Sequence, residues 1–187
     1  MASEATLIWI KSVVLRLSLC PWAGKHANNI NIRVVEDEGM RKYSLEKSES
    51  LHDDCINIAI DFASCQDKNM SEFIVLPQLS KFENFLEFAD TFNELLEASE
   101  LDSMVQVATF HPNYQFADYA VDDTKNWSNR SPYPMLHLLK VAEVSDAIDA
   151  YGRPTDDIWE KNIETLRVVG NDKMALVMKK IHQQARK

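Results

Sequence analysis

Three short apolar runs separated by long segments of helical period constrain this chain more than any other feature. They are INIRVV (30–35), FIVL (73–76) and MVQVATF (104–110). Each is too short for a buried helix and is bounded by polar or turn-forming residues, which predicts strands. INIRVV alternates Ile30, Ile32 and Val34 with Asn31 and Arg33, the pattern of a strand with one face open to solvent or ligand. FIVL is unbroken, as in a strand covered on both faces, and Pro77 stops it. Between the runs the period changes. Leu7, Ile10, Val14 and Leu17 predict a helix over 4–19 with Ser3 as its N-cap, ended by CPWAGK. A second helix is expected over 45–63, although its front half is very polar. In a third, Ser80 and Glu83 form a capping-box pattern, and Phe82, Phe85, Leu86, Ala89, Phe92 and Leu96 share one face.

MLHLLK (135–140) reads two ways. It is a fourth strand followed by a helix capped by Ser145, or a helix that starts near Ser131–Pro132; the strand is favoured. The tail from Thr155 to Gln184 is helical, with a break at Gly170 and Asn171. Strands alternating with helices imply crossover connections. The expectation is an α/β fold, a single domain over 1–187, with a mixed, mostly parallel sheet of about four strands packed with helices. A length of 187 residues suffices for such a core without staples. Only four glycines and six prolines argue against a turn-rich all-β chain.

The net charge of −9 with no basic stripe argues against a nucleic-acid groove, which needs clustered Lys and Arg. It leaves open a small polar or anionic ligand, for which one local arginine is enough. Cys20, Cys55 and Cys65 have no metal-ligand spacing and cannot all pair, so free thiols in the cytoplasm or another reducing compartment are expected. Glu4, Lys11 and Arg16 interrupt the apolar N-terminus, so no membrane span is expected.

In parallel sheets ligands sit beyond the carboxyl ends of the strands. TFHPNYQF (109–116) lies at such an end and opens a loop over 112–134 that has no periodicity. Loops of that length in a compact domain are functional or disordered, and Tyr114, Phe116, Tyr119, Trp127 and Tyr133 weigh against disorder. His111 suits a general acid/base, against the plainer reading of an imidazole satisfied by a loop carbonyl. His137, inside an apolar run, is more simply a hydrogen-bonded core residue. The two together could hold a metal with Asp122 or Asp123, but no HxH or HExxH spacing supports it. Arg130 offers a fork for carboxylate or phosphate, with Asn129, Ser131, Tyr133, Tyr114 and Gln115 around it. The alternative is a polar turn in which Arg130 pairs with Asp122 or Asp123. Arg33 is a second candidate anion contact, with a surface arginine as the plainer reading. Cys20 suggests a nucleophile with His111 as base, although a helix running up to Cys20 would raise its pKa. Cys55 and Cys65 read as core. No glycine-rich phosphate loop exists, so a nucleotide bound in that manner is not expected, and the cofactor stays unassigned.

LCPWA, FHPNYQF and NRSPYPMLHLLK, in an order that holds from Leu19 through NIETLR (162–167), resemble the uncharacterised family called domain of unknown function 1415. The resemblance implies that Cys20, Pro21, His111, Pro112, Tyr114, Gln115, Phe116, Asn129, Arg130, Ser131, Pro132, Tyr133, Pro134 and His137 occupy the family's motif positions. Trp22 and Lys140 stand where the family usually has Phe and Arg, which puts in doubt a role needing a guanidinium at 140. The resemblance supplies no reaction. Three expectations follow. The first is a small-molecule enzyme of hydrolase or transferase type, with a pocket built from the FHP and NRSPYP motifs. The second is a non-catalytic metabolite-binding or regulatory module using that pocket. The third is an interaction protein that docks a partner through loop 112–134 with its aromatics facing solvent.

Overall fold

Apolar alternation and helical period resolve into four strands and seven α-helices in the computed structural model, which describes residues 1–21, 23–36, 50–67 and 69–186. In chain order these are α1 (Ala2–Trp9), which continues as a π-helical segment (Ile10–Leu15), α2 (Ala23–His26), β1 (Ile30–Val34) and α3 (Ser50–Ser64). β2 (Ser71–Val75), α4 (Phe82–Ala98), β3 (Val105–Phe110), a 3-10 turn (Thr124–Ser128) and β4 (Met135–Lys140) follow. α5 (Val141–Tyr151), α6 (Asp156–Val169) and α7 (Asn171–Gln184) complete the chain. The architecture is α/β. Residues 45–49, the expected front of α3, lie outside the described residues.

The sheet order is β1-β2-β4-β3. β1 and β2 are parallel, whereas β4 runs antiparallel to both β2 and β3. The expectation of a mostly parallel sheet is therefore corrected. β1, β2 and β3 point the same way, but the crossover through α4 skips one position, and β4 returns to fill it. MLHLLK is the strand of its two readings, and its central place explains its apolarity: Met135, Leu136 and Leu138 are fully buried.

One sheet face is covered by α3 and α4. Ile74, Leu136, Leu138 and Val105 meet Cys55, Phe62, Phe85, Phe92 and Leu96 there. Phe85 and Phe92 are wholly buried, each contributing about 1.5–3 kcal/mol of transfer free energy. The other face carries α1, the π segment, α6 and α7, with Trp9, Ile10, Val13, Leu166, Met174 and Ile181 against Phe73, Val75 and Met135. Among the described residues no helix is long and apolar enough to cross a membrane.

Several local expectations change. α1 begins at Ala2 rather than after a Ser3 cap, and its buried residues are Ala5, Thr6 and Trp9, one step around from Leu7. It loses α-helical register at Ile10, and Leu19 N–H donates to the Val14 carbonyl five residues back at 3.0 Å. Ser18 then turns left-handed at φ 54, so the helical segment ends before Cys20 and the macrodipole argument about its thiol does not apply. α4 starts at Phe82 with Lys81 as N-cap and no side-chain capping bond, so the Ser80–Glu83 box does not form. On that helix Phe88 is buried and Leu86 is largely exposed. α5 starts directly after β4, which places Ser145 inside the helix instead of at its cap. Gly170, at φ 79, makes the expected break between α6 and α7.

Candidate functional site

The segment 111–134 joins β3 to β4 at the sheet rim where β2 also ends, and its first demand is backbone accounting. A connection that long must find partners for many N–H and C=O groups away from any ladder. His111 N–H donates to Asn129 O at 3.1 Å, and Leu76 N–H to Pro134 O at 2.9 Å, tying both loop ends to the sheet. The fully buried imidazole of His111 is used at both nitrogens. Nδ1 accepts from Asn113 N–H at 3.0 Å, which leaves the proton on Nε2 to donate to Leu79 O at 3.2 Å. Burial lowers its pKa, against the opposing pull of the backbone carbonyls and Glu83. Arg130 donates through Nε to Tyr114 O (3.1 Å) and through Nη2 to Val121 O (2.6 Å) and lies 4.9 Å from the Trp127 ring centroid. It thus clamps the loop through backbone carbonyls, and not through Asp122 or Asp123 as in the polar-turn alternative. Burial lowers its pKa.

The surrounding candidates serve the same loop. Asn129 Nδ2 donates to Thr109 O, Ser131 Oγ to Tyr133 O, and Gln115 Nε2 to Tyr119 O. Tyr114 packs on Phe82 and Phe116, and Tyr133 meets His182 edge-on. Asp123 caps the 3-10 turn by accepting from Lys125 N–H at 2.9 Å. Of the five loop aromatics Trp127 is buried and Tyr114, Phe116, Tyr119 and Tyr133 are half-buried. Arg33 lies on the α3 face, paired with Glu72 at 3.3 Å and Asp61 at 3.7 Å. Among the described residues no three His, Cys, Asp or Glu side chains group as metal ligands; His111, His137 and Asp123 stand at separate places.

A cavity of about 180 Å³ lies elsewhere, between the π-helical side of the molecule and the sheet face. Its floor is a cross-strand row. Phe73, His137 and Ala108 are register partners on β2, β4 and β3, and the small Ala108 leaves room beside the imidazole. Trp9, Ile10 and Val14 form one wall, the segment carrying Cys20, Ala23 and His26 a second, and Glu143, Val144 and Ala147 of α5 a third. Of the sequence candidates, Cys20 and His137 line this cavity, whereas His111, Arg130, Asn129, Ser131, Tyr133, Tyr114, Gln115 and Arg33 do not. It reaches the sheet where β1 and β2 begin and extends along β3 to Phe110, whereas the pocket was expected beyond the carboxyl ends of the strands.

His137 stacks on Phe73 at 3.9 Å between centroids and shares a 3.1 Å hydrogen bond between Nε2 and Ser71 Oγ. Burial, with a smaller contribution from His26, holds its pKa down to about 3, so the ring is neutral near pH 7. Three of the lining residues also have a buried polar atom, out of reach of water, with no hydrogen-bond partner among the described residues: Trp9 Nε1, His26 Nδ1 and Glu143 Oε2. Glu143 Oε1, by contrast, is held by Asn69 N–H at 3.0 Å. Lys140 faces away, its ammonium donating to the Cys65 and Asp67 carbonyls.

The family model described as Protein of unknown function (DUF1415) matches residues 1–176. The chain belongs to this family. Neither a curated protein nor a solved structure matches it. Within this DUF1415 chain the Lys140 side chain contacts backbone carbonyls and a ring (Phe62, 5.7 Å), a job an ammonium performs without a guanidinium fork. Trp22 lies outside the described residues. Sequence reasoning missed Trp9, His26, Ser71 and Glu143. Ser71 had a usable signal, since it precedes FIVL by an even step and so shares the face of Phe73. The other three are placed by tertiary packing alone.

Proposed function

We propose that this chain binds a small molecule in the cavity over the Ala108–His137–Phe73 row. The observation that carries the reading is the cavity itself, a largely apolar space of about 180 Å³ with the His137 imidazole in its floor. The volume matches a six-membered ring with one or two further heavy atoms, since an engineered cavity of about 150 Å³ accommodates benzene. Benzyl alcohol tests this by calorimetry and by the Trp9 indole N–H resonance, assigned with Trp9→Phe. The expected result is saturable binding that shifts that resonance and is weakened about tenfold or more when Ala108→Phe or Ala147→Leu occupies the space. Binding that both variants leave unchanged refutes the location.

A catalytic reading, of hydrolase or transferase type, rests on one more observation: Cys20 shares the lining with His26 and His137. In it the thiolate attacks an acyl carbon of the bound substrate, and His26 Nδ1 takes the thiol proton. The acyl group passes to sulfur, the leaving group departs with a proton, and water then releases the acid. His137, neutral and held by Ser71, orients the site. Phenyl acetate is a suitable probe. Mass spectrometry should find an acetylated Cys20, and Cys20→Ala should abolish hydrolysis while benzyl alcohol still binds. Equal hydrolysis by Cys20→Ala leaves the binding module.

A further inference from the structure

Resting on the binding site just proposed, we infer that its ligand is a compact, neutral carbonyl compound whose oxygen accepts a hydrogen bond from Nδ1–H of His137. The ring is held in one pose. It lies flat on Phe73, 6° from parallel at 3.9 Å between centroids, with Nε2 3.1 Å from Ser71 Oγ. Ser71 decides where the imidazole proton sits. This serine is buried, and Nε2 is the partner of its hydroxyl among the described residues. A hydroxyl and a neutral imidazole each have one polar proton to place. Were Nε2 to donate to Oγ, the Ser71 proton would be buried without an acceptor, which is the costly arrangement. With Oγ–H donating to Nε2, that contact is satisfied and the ring proton resides on Nδ1.

Nδ1 is the open side of the ring. His137 lines the cavity and is half-buried on its central strand, where the small Ala108 stands beside it. Unlike the sealed nitrogens of Trp9 and His26, Nδ1 is within reach of water, and it has no hydrogen bond among the described residues. The group it meets must therefore accept. An ammonium only donates and would confront the N–H. A carboxylate accepts, but an ion taken out of water needs a counter-charge. The Lys140 ammonium is engaged by the Cys65 and Asp67 carbonyls, and His137 is neutral near pH 7. Trp9, Ile10, Phe73 and Phe110 make the rest of the surroundings apolar. An aldehyde, ketone or ester on a compact ring meets all of these demands. In the acyl-transfer reading the same N–H would hold the oxygen that gains charge as sulfur attacks. The polar or anionic metabolite expected from Arg130 gives way to a neutral one.

Nitrogen NMR of the labelled full chain at pH 8, where an ordinary imidazole is neutral, reads the tautomer directly, since protonated and bare ring nitrogens resonate far apart. In the wild type Nδ1 of His137 should carry the proton. Affinities for cyclohexanone and methylenecyclohexane, which share a shape and differ in C=O against C=CH2, are then followed through the Trp9 indole resonance. His137→Phe should lower the ketone-to-alkene affinity ratio about fivefold or more, because the ketone loses its donor. Benzoate and benzylamine, each charged, should bind at least about tenfold more weakly than benzyl alcohol. A wild-type proton on Nε2 overturns the inference. So does a ratio that His137→Phe leaves unchanged, or a charged probe that binds as tightly as the alcohol. If any of these is found while benzyl alcohol binds and Ala108→Phe blocks it, the binding site stands and the carbonyl inference falls. If neither cyclohexanone nor benzyl alcohol binds, both fall.

Discussion

His111 and His137 show how the same side chain acquires opposite meanings from its surroundings. His111 spends both nitrogens on loop backbone, so His111→Ala should cost about 2–4 kcal/mol in urea unfolding while benzyl alcohol affinity stays near wild type. His137 faces a cavity with its pKa held at about 3, against 6.5 for an ordinary imidazole. Between those values the unfolded chain binds more protons than the folded one. Its contribution is therefore full above about pH 6.5 and is lost as pH falls toward 3. His137→Phe should remove about 2–3 kcal/mol of the stability difference between about pH 7 and pH 4.5, measured by urea unfolding at both. Glu72 acts in the opposite sense, because burial raises its carboxyl pKa and its contribution is lost as pH rises. His111 and His182, both lowered by burial, act in the same sense as His137. All three remain in the variant, so the difference isolates His137. From sequence, the strand-end position and the adjacent proline singled out His111 as the reactive imidazole. Nothing local could reveal that the Leu79 carbonyl, far away in the chain, would accept a hydrogen bond from its ring N–H.

At the scale of elements, the strands and the amphipathic α4 were legible because burial imposes a period on them. The loop was legible only as a loop. Its polar residues resemble a site in composition, yet Asn126, Asn129, Ser131 and Arg130 answer the loop's own carbonyls and amides. Asn126 is the clearest case: fully buried, it accepts from Phe116 N–H and donates to Ala120 O and Val121 O. The loop is also pinned to α7, where Trp127 donates to Asn171 Oδ1 at 2.7 Å and Asn171 donates to Asp122 O. Asn171→Ala should cost about 1–3 kcal/mol and hasten proteolytic nicking between 117 and 122, while hydrogen exchange in β4 keeps its protection. Loss of protection in β4 would show that the loop and sheet open together.

For the whole molecule, two cores lie on opposite faces of one sheet and share no helix. Ile58→Val in α3 and Ile181→Val in α7 should each cost about 0.5–1.5 kcal/mol and add within about 0.5 kcal/mol in the double variant. Coupling well beyond that would mean that the sheet transmits strain from one side to the other. The order of strands has a further consequence for a chain made one residue at a time. When β1, β2 and β3 have left the ribosome, β2 and β3 still stand apart with a slot between them. Only the emergence of MLHLLK fills it, so the facing edges of β2 and β3 stay unpaired until residue 140 has cleared the ribosome.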